Sequence, residues 1–228
     1  MQRVEVEKKV LNENQILAEQ LRERYRRQGI LCLNFISAPG SGKTLLLEKT
    51  LERMDKSARV AVLTGDLQTE NDAQRLAKFG FPVKQIVTGG TCHLDARMVE
   101  KHLADWKLGD LDLLIVENVG NLVCPSSYDL GEDAKIVLLS TTEGEDKPLK
   151  YPSIFFKSEL MILTKVDLLP YLPFKPEVVK ENARRVHPQM EILEVSSTTG
   201  EGLDAWMNWL AARQRKAKEK AKLVGLRT

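Results

Sequence analysis

Cysteine is scarce in this chain. Three residues, Cys32, Cys92 and Cys124, are spread over 228 positions. That number and scatter exclude a disulfide framework, and a chain of this length buries roughly 70% of its unfolded surface without one. No apolar run approaches the roughly 20 residues of a membrane helix. The opening "MQRVEVEKKVLNENQ" lacks the apolar centre of a signal peptide. An excess of one charge is missing too. The 34 Lys and Arg against 32 Asp and Glu leave a net charge of +2, which argues against a nucleic-acid binder. There is no internal repeat and no low-complexity segment. These absences predict a cytoplasmic globular protein with no membrane and no nucleic-acid partner. Its thiols are then reduced, as core filler, metal ligands or catalytic groups.

What is present is an alternation. Apolar, β-rich runs stand at "LCLNFIS", "RVAVLTG", "PVKQIV", "LDLLIVEN", "AKIVLLST", "ELMILTK" and "MEILEVS". Helical patterns begin near Gly42, Thr69, Leu94, Pro176 and Leu203. Continuous apolar strands separated by helices predict an α/β fold: a mostly parallel central sheet with helices on both faces. Residues 12–28 carry Ile16, Leu17, Leu21 and Tyr25 at helical spacing, and Gly29 is the stop. This reads as an N-terminal helix, within residues 1–29, appended to a domain spanning 30–228. The domain ends in a basic helical tail that frays into solvent.

The stretch "SAPGSGKT", Ser37 to Thr44, lies between the first strand and a helix. It fits the phosphate-loop template G-x-x-x-x-G-K-[ST] except that Ser37 holds the first glycine's place. Glycines let successive backbone N–H groups close on a phosphate, and the helix start adds its positive end. Gly40, Ser41 and Gly42 form the cradle. Lys43 neutralises the β- and γ-phosphates, and Thr44 ligates Mg²⁺. The expectation is a P-loop NTPase.

Guanine presents an N1–H and an amine, so a carboxylate selects it over adenine. "TKVD" at the end of a late strand matches the guanine template N-K-x-D, with Thr164 in place of Asn. Asp167 accepts from the base and the Lys165 stem covers it. Ser196 and Ser197, after the last strand, stand where GTPases place donors to the guanine carbonyl. Two acidic strand tips remain. Glu117 can hold Mg²⁺ directly or through water, and Asp66 either binds Mg²⁺ or orients the attacking water, with a turn or cap as its bland alternative. Lys43 and Asp66 are the catalytic candidates. Asp72 is a weaker candidate beside Asp66, with a surface position as the reading it favours.

"TGGTCHLD" sets Cys92 beside His93, and "VENVGNLVCP" puts Cys124 seven positions after Glu117. Two thiolates and an imidazole suit Zn²⁺ or Ni²⁺. The spacing alone leaves buried filler open. Cys32, inside the first strand, reads as core.

Taken together, "SAPGSGKT", "LTGDLQTENDAQRL", "TGGTCHLDA", "VENVGNLVCP" and "TEGEDKPLKYP" resemble the hydrogenase nickel-incorporation GTPases, the HypB-like family, from about Ile30 to Trp209. The related urease accessory GTPase carries Cys-Pro-His where this chain has Cys124, Pro125 and Ser126, and lacks the Cys-His pair. The resemblance implies GTP hydrolysis to GDP and a homodimer favoured by GTP. It implies zinc or nickel on Cys92, His93 and Cys124 at the dimer interface. Its implied partners are a nickel-binding accessory protein of the HypA type and a hydrogenase large-subunit precursor. Lys147 is a candidate nucleotide contact, in its own subunit or the neighbour's. "MQRVEVEKKV" holds no Cys or His, so no N-terminal nickel motif or storage role is expected of this chain. The competing readings are a urease-type accessory GTPase, a nucleotide kinase or ATPase without metal delivery, a metal scaffold with a vestigial nucleotide site, and a GTPase chaperone for a cobalamin enzyme, which has no reason to keep the Cys-His pair.

Overall fold

The computed structural model describes residues 2–66 and 71–225. Seven strands form one sheet: β1 (Leu31–Ser37), β2 (Val60–Asp66), β3 (Val83–Val87), β4 (Leu113–Glu117), β5 (Ala134–Ser140), β6 (Leu160–Thr164) and β7 (Glu191–Val195). Every pairing is parallel and the order is β3-β2-β4-β1-β5-β6-β7. All seven apolar runs are therefore strands. Each of β1, β4, β5 and β6 is buried along its whole length, which is why they read as unbroken rather than alternating runs.

The helices are α1 (Gln2–Gln28), α2 (Lys43–Arg53), α3 (Asn71–Ala77), α4 (Ala96–Leu103), α5 (Lys147–Lys150), α6 (Pro152–Lys157), α7 (Pro176–Val186) and α8 (Leu203–Gly225). The helix start expected near Thr69 falls on residues outside those described. Helix α1 begins ten residues earlier than its apolar spacing indicates, because no glycine or proline interrupts the sequence before Gly29. Its Ala18, Leu21 and Tyr25 pack with β2, β4 and α4 on one sheet face. On the other face α2 and α8 cover β1, β4 and β5 through Leu46, Leu47, Leu51, Trp206 and Leu210. Cys32 is fully buried, as expected of core. No described helix is long and apolar enough to cross a membrane.

The chain runs from β1 outward to β2 and β3, returns to insert β4, and then builds the other half of the sheet. That reversal places a crevice at the carboxyl end of β1, where open α/β sheets bind ligands. Register brings the strand tips level there: Glu117 lies opposite both Phe35 and Thr64, and Ser140 opposite Thr164.

Candidate nucleotide and metal sites

The loop between β1 and α2 is shaped by two left-handed glycines, Gly40 at φ 73° and Gly42 at φ 91°. Gly42 is the N-cap of α2 and makes no side-chain cap bond, so the first-turn amides face the crevice. Ser37, the departure from the glycine template, accepts the Lys43 ammonium on its hydroxyl at 2.8 Å. Burial pulls the Lys43 pKa down, opposed chiefly by the Glu117 carboxylate. The Ser41 hydroxyl lies 2.8 Å from both the Ala38 carbonyl and Glu143 Oε1.

Thr44 donates its hydroxyl to Glu117 Oε1 at 2.7 Å. Glu117 Oε2 is buried without a hydrogen-bond partner, and burial raises this carboxyl to about 7. An orphaned carboxylate oxygen beside a hydroxyl fits a hard divalent cation. Asp66, at the tip of β2, lines the same cavity of about 440 Å³ with Gly40, Lys43, Thr44 and Glu117. So do Asp72 and Arg75, and Asp72 is half-buried there rather than a surface group. Sequence reasoning missed Arg75. Glu48 Oε1 and Oε2 accept from its Nε at 3.0 Å and its Nη2 at 2.8 Å. Its one signal was the spacing from Asp72, which it meets at 3.4 Å.

A second cavity, about 190 Å³, adjoins the first at Gly42 and Leu45. Its walls include Thr164, Lys165, Asp167 and Ser197. Lys165 sits at φ 60°, the one described non-glycine residue with positive φ. Such strain concentrates at ligand sites. Thr164 donates to the Ser41 carbonyl at 2.7 Å and so braces the phosphate loop, a role its sequence position did not reveal. Ser196 is buried and holds the Thr199 amide on its hydroxyl at 3.1 Å, without lining the cavity. Lys147 reaches neither cavity within the chain. Its ammonium lies 3.5 Å from Glu143 Oε2 and 5.3 Å from the Tyr151 ring centre.

Cys92, His93 and Cys124 come together, each half-buried, with one donor atom from each lying within 4.8 Å of the others. Tetrahedral zinc sets two sulfurs roughly 3.8 Å apart, so little closure is needed. Burial lowers the His93 pKa, which favours the neutral ligating imidazole. Its Nδ1 is buried without a hydrogen-bond partner, and Tyr128 stacks on the ring at 3.8 Å. The adjacent Cys92 thiol pushes the Cys124 pKa up, the sense a bound cation reverses. Two thiols and an imidazole at this spacing are a donor set that suits zinc or nickel.

The model of the CobW/HypB/UreG nucleotide-binding domain matches residues 32–194. Hydrogenase maturation factor HypB of Escherichia coli is 52% identical over 211 residues, covering 92% of this chain and 73% of the relative. The chain belongs to the HypB branch of the CobW/HypB/UreG family. The crystal structure of HypB from Helicobacter pylori in complex with nickel superposes with a TM-score of 0.83 at 44% identity, covering 90% of this chain and 96% of that one. HypB from Archaeoglobus fulgidus superposes equally well, TM-score 0.83 at 39% identity, over 89% of this chain and 99% of that one. Membership accounts for the nucleotide-binding α/β fold and its seven parallel strands.

Proposed function

We propose that this chain is a GTP-hydrolysing metallochaperone of the cytoplasm. It binds nickel or zinc and assists nickel insertion into a hydrogenase large-subunit precursor. The observation that carries the reading is the placement of a Cys92–His93–Cys124 cluster on loops leaving the same sheet edge as the phosphate site, with Cys124 seven positions beyond Glu117. The names of the relatives, and the nickel in one of their structures, support the cargo and the client.

The phosphates lie against the Gly40–Thr44 amides, with Lys43 neutralising the β- and γ-groups. Thr44 and Glu117 hold Mg²⁺, with Asp66 in reach of the cation or of the attacking water. Guanine enters the smaller cavity against Asp167 and Lys165. A water oxygen bonds to the γ-phosphorus as the bridging oxygen departs with GDP, and phosphate is released. Positioning and charge neutralisation do most of the work. The nucleotide orders the Asp66 and Glu117 segments, and these set the metal ligands that follow them. The half-buried cluster faces a second copy in a GTP-favoured homodimer. A nickel-binding accessory protein of the HypA type supplies the ion. Residues 1–29 act as an appended helix on the 30–228 GTPase domain.

Size-exclusion chromatography with metal analysis, run with GDP and with a non-hydrolysable GTP analogue, tests the scheme. Dimer fraction and bound zinc or nickel should rise together with the analogue. Lys43→Ala should abolish turnover in a folded protein. Cys92→Ala or Cys124→Ala should strip stoichiometric metal and leave GTP binding intact. Equal metal affinity in the two nucleotide states would sink the coupling. Guanine and adenine nucleotides competing equally would favour the kinase or ATPase reading.

A further inference from the structure

Leu94 stands where three segments meet. It directly follows His93. Its backbone N–H donates to Asn118 Oδ1 at 3.1 Å in a buried bond. Its side chain covers Gly65, the residue before Asp66, so closely that a Cβ on Gly65 would lie 2.9 Å from three Leu94 carbons. Leu94 thus touches the chain neighbour of each cavity carboxylate, Asp66 through Gly65 and Glu117 through Asn118.

Asn118 is held from every side. Its own N–H donates to the Phe35 carbonyl at 2.9 Å, its amide donates to Asn34 Oδ1 at 3.2 Å, and its Oδ1 also accepts from Val119 N at 2.9 Å. Farther along the same loop, Asn121 donates to the Cys92 carbonyl at 3.3 Å. A buried N–H that loses its acceptor costs about 1–3 kcal/mol. A displacement at the tip of β4 therefore carries the Leu94 amide with it, instead of parting from it.

We infer that Asn118 is a positioning residue that transmits the state of the phosphate site, through Leu94, to Cys92 and His93. Six intervening residues of backbone already connect Glu117 to Cys124. The other two ligands leave the end of β3, far along the chain, and the Asn118–Leu94 bond gives them their own link. The inference rests on nucleotide-coupled metal binding, the reading given above.

Zinc affinity, measured by competition with a chromophoric chelator, tests it in the GDP form and in the form loaded with a non-hydrolysable GTP analogue. The wild-type affinities should differ about five-fold or more, the range of ordinary coupling energies, and in Asn118→Ala they should agree within about two-fold. A residue that merely supports the fold would change both affinities by one factor and leave their ratio intact. A wild-type ratio that survives in Asn118→Ala overturns this inference alone. A wild-type ratio of one overturns the coupled reading and this inference with it. Hydrogen exchange at the Leu94 amide of the wild-type protein supplies the second measurement should the variant not fold. That amide should exchange at different rates with GDP and with the analogue, and equal rates overturn the link.

Discussion

Single side chains at this site hold positions that ordinary solvation would not give them. Glu117 is the clearest case, with burial lifting its pKa to about 7. Between the ordinary carboxylate range and about pH 7 the folded protein holds a proton that the unfolded chain has released. This group therefore favours folding more as pH falls through that window, and its contribution is lost as pH rises to about 7. Urea unfolding of nucleotide-free protein at pH 5 and pH 8, compared with Glu117→Gln, should show a steeper loss of stability in the wild type as pH rises. Parallel profiles would remove Glu117 as the source. Thr164 is a second case. Its hydroxyl ties β6 to the phosphate loop at Ser41. Thr164→Val keeps the shape and deletes that tie. GDP affinity by calorimetry should fall about five-fold, the worth of one hydrogen bond near 1 kcal/mol. Unchanged affinity would confine Thr164 to packing.

Among the elements, the start of α2 carries the phosphate chemistry, and it depends on Gly42. A Cβ there would meet nothing within 4 Å, so a substitution acts on the backbone alone. Gly42→Ala should cost about 1–2 kcal/mol of stability from the left-handed conformation. It should also weaken nucleotide binding, because relief of the strain turns the first amides of α2 away from the cavity. Denaturation midpoint and GDP affinity, measured together, check both effects. Helix α4 starts by a different device: Asp95 caps it by accepting the Met98 N–H at 2.7 Å. That cap fixes the turn immediately after His93 and Leu94. The central strands β1, β4, β5 and β6 were readable because a strand covered on both faces must be apolar throughout. The early part of α1 was not, since it lacks the apolar spacing that marked residues 12–28.

At the scale of the molecule, Trp206 joins α8 to the nucleotide half of the fold. It is fully buried, meets the Phe35 ring edge-on at 5.8 Å, and donates from Nε1 to the Thr50 hydroxyl at 2.9 Å. One side chain thus pins α8 to β1 and α2 together. Trp206→Ala should cost about 3–5 kcal/mol, the usual range for a buried aromatic, while the surviving folded fraction keeps its full metal content. A loss below about 1 kcal/mol would mean that the contact is peripheral to stability, outside the range for such cavities. The Cys92–His93–Cys124 cluster leads into α4 on the other sheet face, so stability and the proposed metal binding should separate in this variant.

Local chemistry determined a good part of this protein. Continuous apolar runs named the strands, and "GSGKT" between a strand and a helix named the phosphate loop. The acidic strand tips and "TKVD" named the cavity walls, because each depends on residues within a few positions of one another. The sequence left other matters to distance. Cys92 and His93 follow β3 while Cys124 follows β4, and the parallel order β3-β2-β4 puts both loops at the same end of the sheet, one strand apart. Residue type and spacing offered the three as a ligand set but left buried filler open, and the resemblance to a family strengthened the set before any geometry did. Arg75 and Asp72 in the cavity, Thr164 on Ser41, and Asn118 on Leu94 were likewise decided by the tertiary structure. Each is a contact between segments whose adjacency is set by the folding of the whole sheet, and no short-range pattern encodes which strand will insert beside which.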